Sequence, residues 1–294
     1  MLITVEDDLD LKKISESGQC FRWTEISRDE YQIIASDKCL RIKALEENCF
    51  DLNCSEEEFK DFWFDYLDLG ENYTDIRQRI SREKDEFLYR AAEYERGIRI
   101  LRQDPWEMLI TFIISQNKNI PAIRRSVEKL AELSGREMED QSGVTYFAFP
   151  TPDALAGLRE EQLKECGLGY RCRYVREAAL AVAEGRLNLT NLKLQEEDTA
   201  MRTLTGLAGV GKKVASCVSL FGLHHLNSFP IDVWVKRILE EQYPSGYPFE
   251  EYSPYNGVYQ QYMFDYYRNG LAESTPNHSL ERAVSESLVN NGGR

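Results

Sequence analysis

Near its N-terminus the chain alternates apolar and polar positions with a period of two residues. Four runs between residues 19 and 54 have this pattern, QCFRWTEI, EYQIIAS, CLRIKAL and CFDLNC, and polar pairs such as Asp37-Lys38 and Glu47-Asn48 separate them. Alternation over such short runs is typical of half-buried strands joined by turns. The pattern therefore predicts an antiparallel meander.

From about residue 56 onward the apolar positions recur with the helical period instead. Asp104, Pro105 and Glu107 provide a capping carboxylate, a first-turn proline and a first-turn glutamate at the start of PWEMLITFIIS, which predicts a helix to about Ser115. Further helices are predicted over 120–134, 160–166, 171–184, 211–222, 232–242 and 254–268, with stops at Gly135, Gly185 and Gly270. The pattern thus predicts a small sheet domain, 1–95, joined to a helical body, 96–270, with a frayed tail, 271–294.

The composition is that of a globular protein, because 294 residues with 42% apolar content can bury a sizeable core. No apolar run approaches the ~18 residues of a membrane helix, and the acidic start MLITVEDDLDLKK is unlike a secretory signal. We therefore expect a soluble cytoplasmic monomer that does not contact a membrane.

The seven cysteines are odd in number, scattered along the chain, and form no CxxC pair. This spacing favours free thiols in a reducing compartment over disulfides, and it does not indicate a zinc ribbon. The lack of any cysteine after Cys217 also argues against the iron-sulfur cluster of some DNA repair enzymes. We expect neither a metal site nor a cofactor.

The net charge of -14 and the pI near 4.9 argue against a nucleic-acid partner, because phosphate contacts require a basic footprint. The acidic residues, however, are concentrated at 6–10, 56–58, 137–140 and 196–198. Three other segments are locally basic, at 118–129, 171–176 and 212–237. Binding to duplex DNA through these segments is therefore compatible with the negative net charge of the chain.

The segment LAGVGKKVASC, residues 207–217, is the most informative in the chain. Gly209 and Gly211 allow a tight turn and a close backbone approach, and the apolar residues that follow predict a buried helical face. This combination, at about 203–222, is a helix-hairpin-helix signature. We expect Gly209, Gly211 and Lys212 to bind the DNA backbone without reading its sequence. The alternative is a plain turn between two packed helices.

Two ionisable residues near the hairpin are candidates for catalysis. Lys213 lies in the first turn of the second hairpin helix, where the positive end of the helix dipole favours the neutral amine that a nucleophile requires. Asp232 follows Pro230 and precedes VWVKRILEE, so it is expected to cap that helix. The same carboxylate would stabilise positive charge on a sugar that loses its base, and the two roles can coexist.

LAGVGKKVASC followed by PIDVW resembles the helix-hairpin-helix glycosylase superfamily, although Ala208 stands where that family usually has proline. The segments 17–23, 112–120, 167–175 and 256–264 narrow the resemblance to the bacterial-type 8-oxoguanine DNA glycosylases. The resemblance spans residues 17–264. It implies an α+β fold, in which a TBP-like N-terminal antiparallel sheet domain packs on a mostly helical body. In that family the hairpin carbonyls can also hold a monovalent cation.

The same resemblance assigns a base pocket. In the SGQCFRW element the carbonyl of Gly18 accepts the N7 hydrogen that distinguishes 8-oxoguanine from guanine. Gln260 and Phe264, four residues apart on one helical face, read the base edge and stack on its plane. Cys217, one turn after Lys213, forms the opposite wall. The alternative interpretations are an ordinary turn glycine for Gly18, a core aromatic residue for Phe264 and a core thiol for Cys217.

Three further residues are assigned to the DNA duplex by resemblance. Asn117 fills the space left by the extruded nucleotide, Tyr170 wedges into the base stack, and Arg171 contacts the partner base. The alternative interpretations are a core tyrosine for Tyr170 and a solvated arginine for Arg171. Ala122 stands where cytosine-selective members of the family have an arginine, so we expect weak discrimination between partner bases.

The implied function is that of a bifunctional DNA glycosylase and abasic-site lyase in base excision repair. Such an enzyme flips 8-oxoguanine out of duplex DNA, forms a Schiff base through Lys213 and cleaves the strand by β-elimination. One alternative is a glycosylase of the same superfamily that removes another damaged base. The other is a non-catalytic hairpin module that tethers a partner to DNA.

Overall fold

A computed structural model describes residues 1–46 and 48–274 of the chain. Residues 275–294, most of the predicted tail, lie outside the described residues. The N-terminal sheet has five antiparallel strands in the order β1-β5-β4-β3-β2. They are β1 (Leu2–Thr4), β2 (Trp23–Ser27), β3 (Glu30–Ala35), β4 (Lys38–Ala44) and β5 (Cys49–Leu52). The predicted meander is therefore confirmed.

Most of the remaining described chain is helical, as predicted, and a mostly helical body beside an antiparallel sheet confirms the α+β fold. In chain order the helices are α1 (Leu11–Glu16), α2 (Glu56–Glu58), α3 (Phe64–Tyr66), α4 (Tyr73–Gln78), α5 (Glu86–Tyr94), α6 (Pro105–Ser115), α7 (Ile120–Ser134), α8 (Pro152–Ala156), α9 (Glu160–Glu165), α10 (Cys172–Ala183), α11 (Leu189–Leu192), α12 (Glu197–Thr205), α13 (Lys212–Phe221), α14 (Val233–Gln242), α15 (Phe249–Tyr252) and α16 (Asn256–Ser274). A short ribbon of β6 (Glu137–Glu139) and β7 (Thr145–Phe147) follows α7.

The stop predicted at Gly270 is wrong, because α16 continues through it to Ser274. A glycine inside a helix costs only about 1 kcal/mol relative to alanine, so it does not by itself end a helix. The helix α16 also packs against α5 and α14. The sequence also missed β1, β6 and β7, since three-residue strands are too short to show alternation.

Two apolar cores hold the molecule together. One face of the sheet carries the buried cross-strand pairs Ile33 with Leu40 and Tyr31 with Ile42, and these pack with the buried Trp63. The larger core lies among the helices from α4 to α16. The described residues 17–22 run between the two cores, which places the predicted base-reading loop at their junction.

All seven cysteines are free thiols, as predicted. Within residues 1–46 and 48–274, no helix combines the length and apolar character that crossing a membrane requires.

Candidate active site

The hairpin turn joins α12 to α13 and exposes the start of α13. Gly209 has φ +77°, and a Cβ there would lie 2.3 Å from the Tyr174 ring, so this position requires glycine. Gly211 adopts an extended conformation before α13, and a Cβ at Gly211 would meet no described atom within 4 Å. The exposed Gly211, Lys212 and first amides of α13 are therefore accessible to a phosphate. Phosphate binding itself stays a prediction.

Lys213 is the second residue of α13, and it is exposed beside a buried aromatic surface. Its Nζ lies 5.6 Å from the centroid of the Phe112 ring, which stacks on Phe221. One turn later Cys217 is buried, and burial raises the pKa of its thiol although the Lys213 ammonium, a hydrogen-bond partner, opposes the rise. Cys217 is therefore a neutral thiol beside the amine rather than a second nucleophile.

Asp232 caps α14 as the sequence predicts. Its Oδ1 accepts hydrogen bonds from the amides of Trp234 and Val235, each at 2.9 Å. Both cap bonds use the same oxygen, and within the described residues no hydrogen bond to Oδ2 occurs. The carboxylate is half-buried, and its charge is close enough to Cys217 to favour the neutral thiol. Because the cap uses only Oδ1, Asp232 can cap α14 and also stabilise positive charge near Lys213.

Gly18 lies in the loop that follows α1, with φ +78°. A Cβ at Gly18 would contact only the Ile120 side chain among the described atoms, at an ordinary 3.6 Å, so the backbone conformation rather than crowding favours glycine here. The adjacent Gln19 is fully buried. Its Nε2 donates to the Arg99 carbonyl at 2.8 Å and its Oε1 accepts from the Leu101 amide at 2.9 Å. These bonds fix the loop to the chain that precedes α6.

The predicted base-reading pair lies on α16. Gln260 is 4% exposed, and its Oε1 has no hydrogen-bond partner in the described part of the chain. A buried acceptor without a partner is costly, so Oε1 of Gln260 is able to accept a hydrogen bond from a bound donor. Phe264, one turn later, is half-buried, and the Arg268 guanidinium lies 5.2 Å from its ring centroid.

The structure brings two of the three predicted duplex-contacting residues together at the surface. Asn117 has φ +50° directly after α6, and its Nδ2 donates to the hydroxyl of the 52% exposed Tyr170 at 3.2 Å. Arg171 differs, because it is buried and donates to the carbonyls of Gln116 and Leu168. Its guanidinium would have to leave these partners to reach a base.

Gln116 links the hairpin to neighbouring loops, and the sequence did not predict this role. Its Nε2 donates to the Ile113 carbonyl at 3.0 Å and to the Gly209 carbonyl at 3.1 Å. Its own carbonyl accepts from Arg171. Gln116 thus connects the hairpin to the loops that carry Asn117 and Arg171, both predicted to contact the duplex. Its signal in the sequence was its position next to Asn117.

The basic side chains near these elements are mostly exposed. Arg125, Lys129, Arg173, Arg176, Lys212, Lys236 and Arg237 are all exposed. By contrast, the acidic Asp7 and Asp8 are bound to the buried Arg77 and Arg99. The three locally basic segments therefore present exposed cations although the net charge of the chain is negative. No group of three or more His, Cys, Asp or Glu side chains among the described residues is placed to hold a metal ion.

Comparison with known proteins places both halves of the chain in DNA repair families. Residues 1–109 match the N-terminal domain of 8-oxoguanine DNA glycosylase, and residues 110–246 match the HhH-GPD superfamily of base excision DNA repair proteins. The chain is 30% identical over 262 residues to the N-glycosylase/DNA lyase of Saccharomyces cerevisiae, covering 81% of this chain and 69% of that protein.

Two solved structures resemble the fold over 92% of this chain. MBOgg1, in complex with a low-affinity DNA ligand, is 38% identical, with a TM-score of 0.85 and 95% of its chain covered. The 8-oxoguanine glycosylase/lyase of Clostridium acetobutylicum, in complex with double-stranded DNA containing cytosine opposite 8-oxoguanine, is 33% identical. Its TM-score is 0.84, and 98% of its chain is covered.

Proposed function

Because this chain belongs to the 8-oxoguanine DNA glycosylase family of the HhH-GPD superfamily, we propose that it excises 8-oxoguanine from duplex DNA and then cleaves the strand. The observation that carries the proposal is the convergence of a lysine, a thiol and a carboxylate. Lys213 lies one turn before the buried Cys217 on α13 and beside the Phe112 ring, and Asp232, which caps α14, is near enough to act on the same thiol. A plain DNA-tethering hairpin has no need of this arrangement.

The chemistry follows from Lys213 and Asp232. The neutral Lys213 amine attacks C1′ of the flipped nucleotide, the bond from C1′ to the base breaks, and the base leaves with the electron pair and takes up a proton. Asp232 stabilises the positive charge that develops on the sugar, while Oδ1 keeps its bonds to α14. Ring opening gives a Schiff base. Removal of the C2′ proton then breaks the C3′–O bond and cleaves the strand.

The lesion is read by Gly18 and Gln260 in this proposal. Guanine N7 is an acceptor, whereas N7 of 8-oxoguanine carries hydrogen, so only the lesion donates to the Gly18 carbonyl. The base edge supplies the donor that Oε1 of Gln260 lacks among the described residues. Phe264 and the neutral Cys217 enclose the base plane.

DNA binding and base flipping involve the hairpin and the exposed pair Asn117 and Tyr170. Flipping costs a few kcal/mol of stacking and pairing, which inserted side chains must offset. The hydrogen bond from Asn117 to Tyr170 holds these two side chains together before DNA binds. Gly209, Gly211 and Lys212 contact the backbone of the strand. Because the exposed basic side chains of the three locally basic segments contact phosphates, this binding falls steeply with salt.

We further propose that the protein acts as a monomer in the cytoplasm, a compartment that suits its seven free thiols. Partner-base discrimination is weak in this account because Ala122 offers no donor. Arg124 cannot readily replace it, since its Nη2 donates to the Ser15 carbonyl at 2.6 Å.

The proposal is tested with three duplexes, which contain one 8-oxoguanine, one 3-methyladenine or no lesion. Base release and strand cleavage are measured separately. We expect both products from the 8-oxoguanine duplex and neither from the others. Release of 3-methyladenine alone would assign another substrate within the superfamily, and DNA binding without release of any base would favour the tethering module.

A further inference from the structure

Two side chains of α16 bind the backbone directly before the base-reading loop. Gln261 Nε2 donates to the Ser17 carbonyl at 3.0 Å, and Arg268 Nη2 donates to the Glu16 carbonyl at 2.7 Å. Glu16 and Ser17 end α1, and Gly18 follows them. The helix that carries Gln260 is therefore bonded to the two residues that precede Gly18.

Asp265 connects the two donors. Its buried carboxylate accepts from Gln261 Nε2 through Oδ2 and from Arg268 Nη2 at 3.1 Å through Oδ1. Burial raises the pKa of Asp265 to about 6, while Arg268 and Gln261 oppose the rise, so the group is mostly ionised at neutral pH. The nearby Glu95 has its pKa raised to about 8, first by burial and then by Asp265, so it is mostly neutral. Asp265 therefore orients both donors as the charged member of the group.

The spacing on α16 relates this network to the base pocket. Gln261 and Asp265 are four residues apart, as are Gln260 and Phe264, and each pair lies about 100 degrees around the helix from the other. One face of α16 thus carries the base-reading side chains, and the neighbouring face bonds to the segment before Gly18. On the other side of Gly18, the side chain of Gln19 is bonded to the chain at 99–101. Gly18 is therefore held from both directions.

We propose that Gln261, Asp265 and Arg268, here called the Asp265 clamp, are positioning residues that fix the Gly18 carbonyl relative to Gln260. The inference rests on the proposed function, since it concerns the reading of 8-oxoguanine. A hydrogen bond weakens steeply once its distance and angle depart from the ideal range. Loss of the clamp therefore reduces excision of 8-oxoguanine, while Lys213 and Asp232 stay in place to cleave at an abasic site.

The experiment separates base reading from chemistry by using two substrates. One duplex contains 8-oxoguanine opposite cytosine, and the other contains a preformed abasic site, where strand cleavage requires Lys213 but no base. For Gln261→Met, which keeps the side-chain length and removes the donor, we expect kcat/KM on 8-oxoguanine to fall about 10- to 100-fold. Cleavage of the abasic duplex should change by less than about threefold.

Arg268 supplies a second, independent pair of variants. Arg268→Met should reduce 8-oxoguanine excision, and Arg268→Lys, which retains a donor for the Glu16 carbonyl, should restore much of it. Asn269→Ala, at an exposed position of the same helix, is the matched control for both. Melting temperatures are recorded for every variant.

The outcomes distinguish the clamp from the proposed function. Unchanged excision by both Gln261→Met and Arg268→Met would overturn the clamp, and so would equal losses on the two substrates, which indicate a merely structural role. If the wild-type protein does not excise 8-oxoguanine, the proposed function fails first and the clamp with it. Selective loss on 8-oxoguanine, with rescue by Arg268→Lys, supports both.

Discussion

Replacing Gln260 with leucine should stabilise the free protein and impair it as an enzyme. Gln260 is 4% exposed, and its Oε1 has no partner among the described residues. Such a group costs about 1 to 3 kcal/mol, which the apolar variant avoids. For a protein of this size, each 1 kcal/mol raises Tm by about 2 to 4 °C. Loss of a base-edge contact worth about 1 to 3 kcal/mol should lower kcat/KM on 8-oxoguanine about 5- to 150-fold.

The two effects are measured by thermal unfolding and by single-turnover excision from an 8-oxoguanine duplex. Thr111→Val is the matched control, because Thr111 is fully buried in α6 and its hydroxyl also lacks a partner in the described chain. It should raise Tm without slowing excision. A Gln260→Leu protein that melts earlier yet excises normally would refute the reasoning, since Gln260 would then be an ordinary core residue.

Three further predictions concern the partner base, the hairpin and pH. Ala122→Arg should make excision of 8-oxoguanine about 10-fold or more faster opposite cytosine than opposite the other bases. If the wild-type protein already prefers cytosine by more than about 100-fold, another residue reads the partner base. Gly209→Ala places a Cβ 2.3 Å from the Tyr174 ring at a position with a positive φ, so it should distort the hairpin. Duplex affinity in a gel-shift titration should therefore fall. Unchanged affinity would contradict the contact assigned to Gly209. Glu95 has its pKa raised by burial from 4.5 to about 8, so the folded chain retains a proton that the unfolded chain loses, and unfolding free energy should fall between pH 5 and pH 8. Glu95→Gln should flatten this profile only in part, because burial also raises the pKa of Glu107 to about 8 and that of Asp265 to about 6, which gives slopes of the same sign. Denaturant titrations that show the same pH dependence for both proteins would contradict the assignment.

Features that depend on residues at most four apart could be predicted from the sequence. Asp104 and Asp232 cap α6 and α14 with their own carboxylates. Lys213 and Cys217 share a face because they are one helical turn apart. Strands β2 to β5 followed from the alternation in the sequence, and in β3 and β4 the buried positions alternate as expected. Local geometry was sufficient in each case.

Contacts between distant segments could not be predicted in this way. Gln261 binds Ser17, which lies 244 residues earlier, and Gln116 binds Gly209, 93 residues later. Hydrophobic periodicity places each residue on a face of its own element, but it does not say which element packs there. The burial of Arg171 under Tyr170 is of the same kind, because one of its hydrogen-bond partners, Gln116, comes from another loop.

The measurement that tests the account most directly is borohydride trapping of the Schiff base on an 8-oxoguanine duplex. Wild-type protein should form a covalent adduct with the DNA, and Lys213→Gln should form none. Lys212→Gln removes the same charge one residue away, so it should bind DNA more weakly yet still form the adduct when protein is in excess. An undiminished adduct with Lys213→Gln would contradict the central claim that this amine is the nucleophile.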